Sequence, residues 1–192
     1  MSSFAVLPDL AMVTMGRELV SVLRLGTLGY AAALAVQNKL VARIQAGEGG
    51  SSLVVVQHPP VYTTGMRTKG YSEEEERRLR GLGADFVRTN RGGLITFHGP
   101  GQLVAYPIMN LRRFAPESAA RKAMLGMKWY VNSLEQMVID LCEDFGIKTA
   151  RSPHTGIMSA HLHNTQSTHY IYKFKYFLST INFKCKKYFL KI

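Results

Sequence analysis

The stretch RGGLITFHGPGQLVAYPI, residues 91–108, places four glycines and two prolines in a mainly apolar run. An ordinary strand does not carry this much backbone freedom. Gly92 and Gly93 allow the backbone to approach a ligand closely or to adopt a positive φ, and their N–H groups can form a concavity for an anion or a carbonyl oxygen. The composition therefore predicts strands and a turn that together form one side of a binding site.

The few polar residues of this stretch are expected to lie together. Arg91 carries a permanent charge and five hydrogen-bond donors. Thr96 and His98 are two positions apart, so a strand places both on one face. Gln102 follows the turn and can both donate and accept. We expect a hairpin-like wall with a polar end and an apolar end, which suits a ligand with a polar head and an apolar tail. The alternative is a glycine-rich hairpin with a core histidine.

The order of the other predicted elements favours an α+β fold, because strands and helices are mixed without a regular βαβ alternation. Ser72 with Glu75 predicts a capping box, so we interpret the glutamates at 73–76 as the start of a helix and not as a metal site. The predicted strands cover residues 19–25, 53–57, 85–89, 94–98 and 103–109, with short ones after residue 60 and at 147–151, and the predicted helices cover 30–46, 72–83 and 119–145.

Two of the helices show an apolar stripe at helical spacing. The stripe of the first helix comprises Leu34, Leu40, Val41 and Ile44, and that of the long helix comprises Val131, Leu134, Val138, Leu141 and Phe145. Cys142 lies beside the second stripe, so we expect a packed thiol.

Length and composition indicate one globular domain with appendages: the chain has 192 residues and is 46% hydrophobic. The net charge of +11 is concentrated, because residues 159–192 contain six lysines and no acidic residue. The two cysteines form neither a disulfide framework nor a CxxC site, which favours a reducing compartment. No apolar run is long enough to span a bilayer. Residues 1–18 are interpreted as an N-terminal extension that contains at most a weak targeting leader.

The glycine-rich stretch closely resembles the signature of the lipoyl-pathway octanoyltransferases, the lipoate–protein ligase B family. HPPVYTTG (58–65), KWYVNSLEQMVIDLCEDFGI (128–147) and TGIM (155–158) are similar to further segments of that family. The resemblance covers residues 19–158. ATP-using lipoate and biotin ligases place an acidic residue after the corresponding histidine, whereas His98 is followed by GPGQ, which favours the transferases.

The resemblance implies the α+β catalytic domain that octanoyltransferases share with biotin and lipoate ligases. It implies transfer of an octanoyl group from acyl carrier protein to a lysine of a lipoyl domain, such as that of glycine cleavage H protein. It also implies a cysteine nucleophile that forms a thioester, a lysine that favours its thiolate form, no cofactor and a mitochondrial location. The substrate-binding residues that it implies are Arg91, Gly92, Gly93, Leu94, Ile95, Thr96, Phe97 and His98.

Residues 159–192 do not resemble the family. The family continues with a lysine in a K-I-x-x-I-G strand and a cysteine in a P-C-G setting, whereas the next lysine here is Lys173 and the next cysteine is Cys185. We therefore assign no catalytic residue, with Cys185 as a weak substitute, and expect this polypeptide to be inactive or impaired.

Two other functions stay open from the sequence. The chain could be a non-catalytic module that binds an acyl group or a lipoyl domain, or its basic tail could bind nucleic acid or an anionic membrane. The main hypothesis includes neither a nucleic acid partner nor a membrane span. His161, His163 and His169 lack acidic partners, so they are not predicted to bind a metal.

Overall fold

The structure is a computed structural model that describes residues 9–15, 18–66, 71–114, 127–152, 156–159 and 189–191. The chain forms two compact units, one of residues 1–114 with 181–192 and the other of residues 115–180. Among the described residues, the helices lack the length and apolar content that crossing a membrane requires.

The larger sheet of the first unit has the strand order β1-β2-β3-β7-β10. Strand β2 lies parallel to β3 because helix α1 returns the chain between them, while the β1–β2, β3–β7 and β7–β10 pairs are antiparallel. These elements are β1 (Asp9–Met15), β2 (Glu18–Thr27), α1 (Tyr30–Gln45), β3 (Ser51–Gln57), β7 (Leu103–Asn110) and β10 (Phe189–Lys191). A 3-10 helix, Leu111–Phe114, follows β7.

The smaller sheet has the order β5-β4-β6, with β4 parallel to β5 and antiparallel to β6. Its strands are β4 (Val61–Thr64), β5 (Asp85–Arg88) and β6 (Thr96–His98), and helix α2 (Glu73–Gly81) connects β4 to β5. The sheet therefore places the HPPVYTTG segment directly beside the glycine-rich stretch.

Helix α2 begins as predicted, because the Ser72 hydroxyl accepts a hydrogen bond from the Glu75 N–H at 3.2 Å. The reciprocal half of the capping box does not form, since the Glu75 carboxylate binds Arg78 at 2.7 Å instead. Glu76 binds both Arg80 and Arg88, at 2.9 and 2.8 Å, which connects the helix to β5. The glutamate run is thus a solvated helix start that is neutralised by neighbouring arginines.

The second unit contains helix α3 (Met127–Asp144) and the antiparallel pair β8 (Thr149–Arg151) and β9 (Ile157–Ser159). The thiol of Cys142 packs with Val138 and Ile157 in a buried cluster, which confirms the predicted packed cysteine. Glu135 is buried, and its carboxylate accepts from the Gly156 N–H at 2.8 Å and pairs with Arg151 at 3.3 Å.

Several sequence-based predictions are wrong in detail. The predicted hairpin does not form, because β6 pairs with β4 in the smaller sheet and β7 pairs with β3 in the larger one. Residues 9–15 of the N-terminal extension form β1, which the sequence did not indicate. Residues 119–126, predicted as the start of the long helix, lie outside the described residues.

Both apolar stripes are shifted relative to the prediction. In α1 the buried residues are Tyr30, Ala33, Gln37 and Ile44, so only one predicted member is fully buried. In α3 the buried face includes Tyr130, Leu134, Val138 and Cys142, spaced four apart, whereas Leu141 and Phe145 are exposed. The register is set by what packs against each helix, which a single-helix pattern does not contain.

Candidate functional site

Arg91 is a buried cation that binds only neutral oxygens in the described part of the chain. Its side chain is 1% exposed. Nη2 donates to the Thr63 carbonyl at 2.6 Å, to the Thr63 hydroxyl at 3.0 Å and to the Thr96 hydroxyl at 2.8 Å, and Nη1 donates to the Gly92 carbonyl at 2.9 Å. Burial lowers the pKa of the guanidinium, which still remains charged at neutral pH. Nε has no partner among these residues.

The two threonines meet because Thr63 of β4 stands opposite Thr96 of β6 in the sheet register. Their hydroxyl oxygens are 2.8 Å apart, and the Thr96 oxygen lies 3.5 Å from Nε2 of His98. Since a guanidinium only donates, each threonine must direct its own hydrogen elsewhere. One arrangement uses both hydrogens: Thr63 donates to Thr96, and Thr96 donates to His98.

His98 is a neutral, buried histidine. Burial, together with the nearby His58 and Arg91, lowers its pKa to about 4. Its Nδ1 lies 2.9 Å from the Gln102 side-chain oxygen, so Nδ1–H donates there and Nε2 accepts from Thr96. Both ring nitrogens therefore bond to protein groups, and His98 is arranged as a fixed dipole and not as a proton carrier.

A second histidine, His58, also forms hydrogen bonds at both ring nitrogens, and its ring centroid lies 5.8 Å from that of His98. Its Nδ1–H donates to the Leu28 carbonyl at 2.7 Å, so Nε2 accepts from the Tyr106 hydroxyl at 3.0 Å. Burial lowers the pKa of His58 and raises that of Tyr106. The ring of Tyr30, the first residue of α1, stacks on His98 with a centroid distance of 6.2 Å.

The backbone of residues 91–93 passes unusually close to Gly65. A Cβ at Gly65 would lie 2.5 Å from the Gly93 carbonyl oxygen and 2.6 Å from that of Arg91. The Met66 N–H donates to the Arg91 carbonyl at 2.8 Å, and Gly93 has a φ of 88°. Only glycine at position 65 therefore permits this approach.

The outward side of the motif segment, residues 91–98, is apolar. Leu94 is 60% exposed and Phe97 is 46% exposed, and the Phe97 ring packs on Tyr62 at 5.0 Å. The segment thus has a buried polar side and an exposed apolar side, and the buried side fixes its conformation.

Residues 29–167 match the family model described as the lipoyl protein ligase A/B catalytic domain. The chain belongs to this family. Its α+β architecture agrees with the predicted fold class, and the match extends nine residues past the predicted boundary at residue 158.

Curated relatives are octanoyltransferases by name. The mitochondrial octanoyl-acyl-carrier-protein:protein N-octanoyltransferase of Xenopus tropicalis is 50% identical over 138 residues, 70% of this chain and 54% of the relative. Its namesake from Danio rerio is 46% identical over 140 residues, 72% and 58% of the two chains. A solved bipartite lipoate protein ligase of Thermoplasma acidophilum has a TM-score of 0.47 and 14% identity, over 73% of this chain and 51% of that one.

The chain spans about half the length of the curated relatives that it matches. Within this ligase A/B domain, the predicted substrate-binding residues divide by exposure. Arg91, Thr96 and His98 are buried, Gly92, Gly93 and Ile95 are half-buried, and Leu94 and Phe97 are exposed. Contact with substrate stays a prediction for all eight.

The remaining candidates belong to the second unit or lie outside the described residues. Cys142 is buried in the second unit, and burial raises the pKa of its thiol, which opposes nucleophilic reactivity. Cys185 and His161, His163 and His169 are not among the described residues. Within the described part of the chain, no group of three His, Cys, Asp or Glu side chains could hold a metal ion.

Sequence reasoning missed Thr63, His58 and Tyr106 as parts of the cluster. The available signal was the segment HPPVYTTG, which resembles a pocket segment of the family and places Thr63 in a strand. Its pairing partner, however, could not be read from local pattern, so the contacts with Arg91 and Thr96 were not predicted.

Proposed function

We propose that the chain is an octanoyltransferase-family protein whose motif segment, residues 91–98, binds the octanoyl group of an acyl carrier protein. This proposal rests on the different exposure of the two sides of the segment. Arg91 and His98 are buried and fix its conformation, whereas Leu94 and Phe97 are exposed. An eight-carbon acyl chain is apolar, so contact with those side chains would remove apolar surface from water.

The half-buried glycines next to this apolar side supply the polar end. Backbone N–H groups at Gly92 and Gly93 are free of side-chain obstruction and suit a thioester carbonyl oxygen. The buried charge of Arg91 lies directly behind them and favours negative charge on that oxygen.

The reaction proposed for the family function has two steps. A cysteine thiolate attacks the octanoyl thioester, forms a new enzyme thioester and releases the carrier protein as its thiolate, which takes up a proton from solvent. A lysine amine of a lipoyl domain then attacks, forms the amide and returns the cysteine, with loss of the amine proton to solvent. The partners are therefore octanoyl-acyl carrier protein and lipoyl domains, and the names of the relatives favour a mitochondrial location.

We infer that the 192-residue polypeptide binds octanoyl groups but turns them over slowly or not at all. Its residues 159–192 contain neither the lysine strand nor the P-C-G setting that the resemblance requires. Because residues 159–192 lack both of these segments, a non-catalytic module that binds an acyl group is the second candidate function.

The test is an octanoyl-acyl carrier protein assay with a lipoyl-domain acceptor, with the Xenopus tropicalis relative as the positive control. We expect saturable binding and no octanoyl-lysine product in mass spectra of the acceptor. Product that disappears in Cys185→Ser and persists in Cys142→Ser would show that the tail supplies a nucleophile and would refute the inferred lack of turnover. Absence of binding would refute the proposed site.

A further inference from the structure

Thr63 lies at the centre of the buried polar cluster, although it is not part of the motif segment. The residue is fully buried in β4. Both of its oxygens accept from the same nitrogen, Nη2 of Arg91, and its hydroxyl lies 2.8 Å from that of Thr96. No other residue in the described part of the chain offers Arg91 both a carbonyl and a hydroxyl.

A buried guanidinium depends on such acceptors. Transfer of a charge out of water is costly unless hydrogen bonds replace its hydration, and the acceptors of Arg91 are all neutral. Loss of one acceptor therefore weakens the restraint on the arginine side chain and, through the Nη1 bond to Gly92, on the glycine backbone.

The Thr63 hydroxyl also determines which ring nitrogen of His98 carries the proton. The Thr96 oxygen has two acceptor positions. One is filled by Arg91 Nη2, and in the arrangement that uses both threonine hydrogens the other is filled by the Thr63 O–H. Since neither is left for an incoming Nε2–H, the Nε2 of His98 must accept from Thr96, and the ring proton must sit on Nδ1 towards Gln102.

We propose that Thr63 is a positioning residue that orients Arg91 and sets the tautomer of His98, and so holds the motif segment in the shape that binds the acyl group. The identity of that ligand rests on the proposed function. The effect of Thr63 on Arg91 and His98 does not depend on the proposed function, because it follows from hydrogen bonds within the chain itself.

The chain provides a matched control at the next position. Thr64 has the same side chain, lies in the same strand and is also fully buried, but its hydroxyl has no partner among the described residues. Thr63→Val and Thr64→Val therefore make the same chemical change, and only the first removes hydrogen bonds. Thr63→Ser keeps the hydroxyl and serves as the rescue variant.

Two measurements on the full chain test the proposal. Imidazole 15N spectra report the tautomer: we expect wild type, Thr63→Ser and Thr64→Val to show His98 with only Nδ1 protonated. In Thr63→Val, one acceptor position of Thr96 is free, so the Nε2–H tautomer should appear, with the Gln102 side-chain amide turned to donate an N–H to Nδ1. Octanoyl-acyl carrier protein binding should weaken roughly tenfold in Thr63→Val, the size expected for a lost bond to a charged group, and stay near wild type in the other two.

Three results would overturn the positioning role. One is the finding that His98 of the wild-type chain carries its proton on Nε2. This measurement does not depend on the folding of any variant. The second is a Thr63→Val chain with an unchanged tautomer and unchanged binding. The third is an equal loss of binding in Thr64→Val. If wild type fails to bind the acyl carrier protein, the proposed function is wrong, while the 15N spectra still decide whether Thr63 orients His98.

Discussion

The Tyr106 hydroxyl is expected to make one of the larger single-atom contributions to the stability of the first unit. Its O–H donates to Nε2 of His58 at 3.0 Å, and its oxygen accepts from the Gln37 side chain. Tyr106→Phe would leave an imidazole acceptor and an amide donor buried without partners. Each of the two groups costs about 1 to 3 kcal/mol, so we expect a loss of about 2 to 6 kcal/mol in the free energy of unfolding.

Tyr130→Phe is the matched control. Tyr130 is also buried, but its hydroxyl has no hydrogen-bond partner among the described residues. Removal of this unpaired hydroxyl leaves no other buried polar group without a partner. It also removes the free-energy cost of burying an unpaired polar atom. The expected change is zero or a gain of up to about 1 kcal/mol.

Urea denaturation followed by far-ultraviolet circular dichroism measures both variants. The only tryptophan is Trp129, which belongs to the second unit, so the first unit contains none. We expect the midpoint of the first-unit transition to fall in Tyr106→Phe, and the midpoint of the second-unit transition, to which Tyr130 belongs, not to fall in Tyr130→Phe. Equal midpoints for Tyr106→Phe and wild type would show that His58 and Gln37 are satisfied in another way, and the hydrogen-bond argument would fail.

Three further outcomes follow from the same structure. Burial holds the folded pKa of His98 at about 4, below its ordinary value of 6.5, so the unfolded state binds more protons between these values. Stability should therefore fall as the pH drops from about 6.5 to about 4, by on the order of 3 kcal/mol, and His98→Gln should flatten a plot of unfolding free energy against pH. Gly65→Ala should displace the backbone of residues 91–93, cost at least about 1 to 3 kcal/mol and abolish octanoyl binding, whereas Gly81→Ala, with open space around its Cβ, should be neutral or stabilising in thermal melts. In a Cys185→Ser chain, Cys142 should resist a thiol reagent in buffer and react fully in urea, because its thiol is buried with a raised pKa; rapid labelling of the native chain would contradict this packing.

The parts of the fold that local chemistry determines were predictable from the sequence. Ser72 caps α2 because a hydroxyl three residues before an N–H satisfies it within one turn. Thr96 and His98 share a buried face because alternation in a strand is a property of the backbone alone. Cys142 is buried because it lies on the inner face of an amphipathic helix.

The wrong predictions concern contacts between distant parts of the chain. Two consecutive strands with a tight turn between them usually pair, yet β6 and β7 belong to different sheets because β4 and β3 provide their partners. Gln37 looks like a surface residue of α1, but Tyr106 gives its amide a partner and makes its burial possible. Neither choice is present in the local pattern, since the deciding residues lie about 35 to 70 positions away in the sequence.

The role of Arg91 shows the consequence for functional interpretation. A charged residue in a glycine-rich ligand segment suggests direct contact with substrate, but the guanidinium is buried and donates to Thr63, Thr96 and Gly92. Its charge can still act on a bound carbonyl, because a buried charge is weakly screened by solvent. A lysine at this position would keep the charge but could not reach oxygens in the same fork geometry. The structure shows that Arg91 supports the motif segment from within and that Leu94 and Phe97 face outward, while contact with substrate stays a prediction for the whole segment.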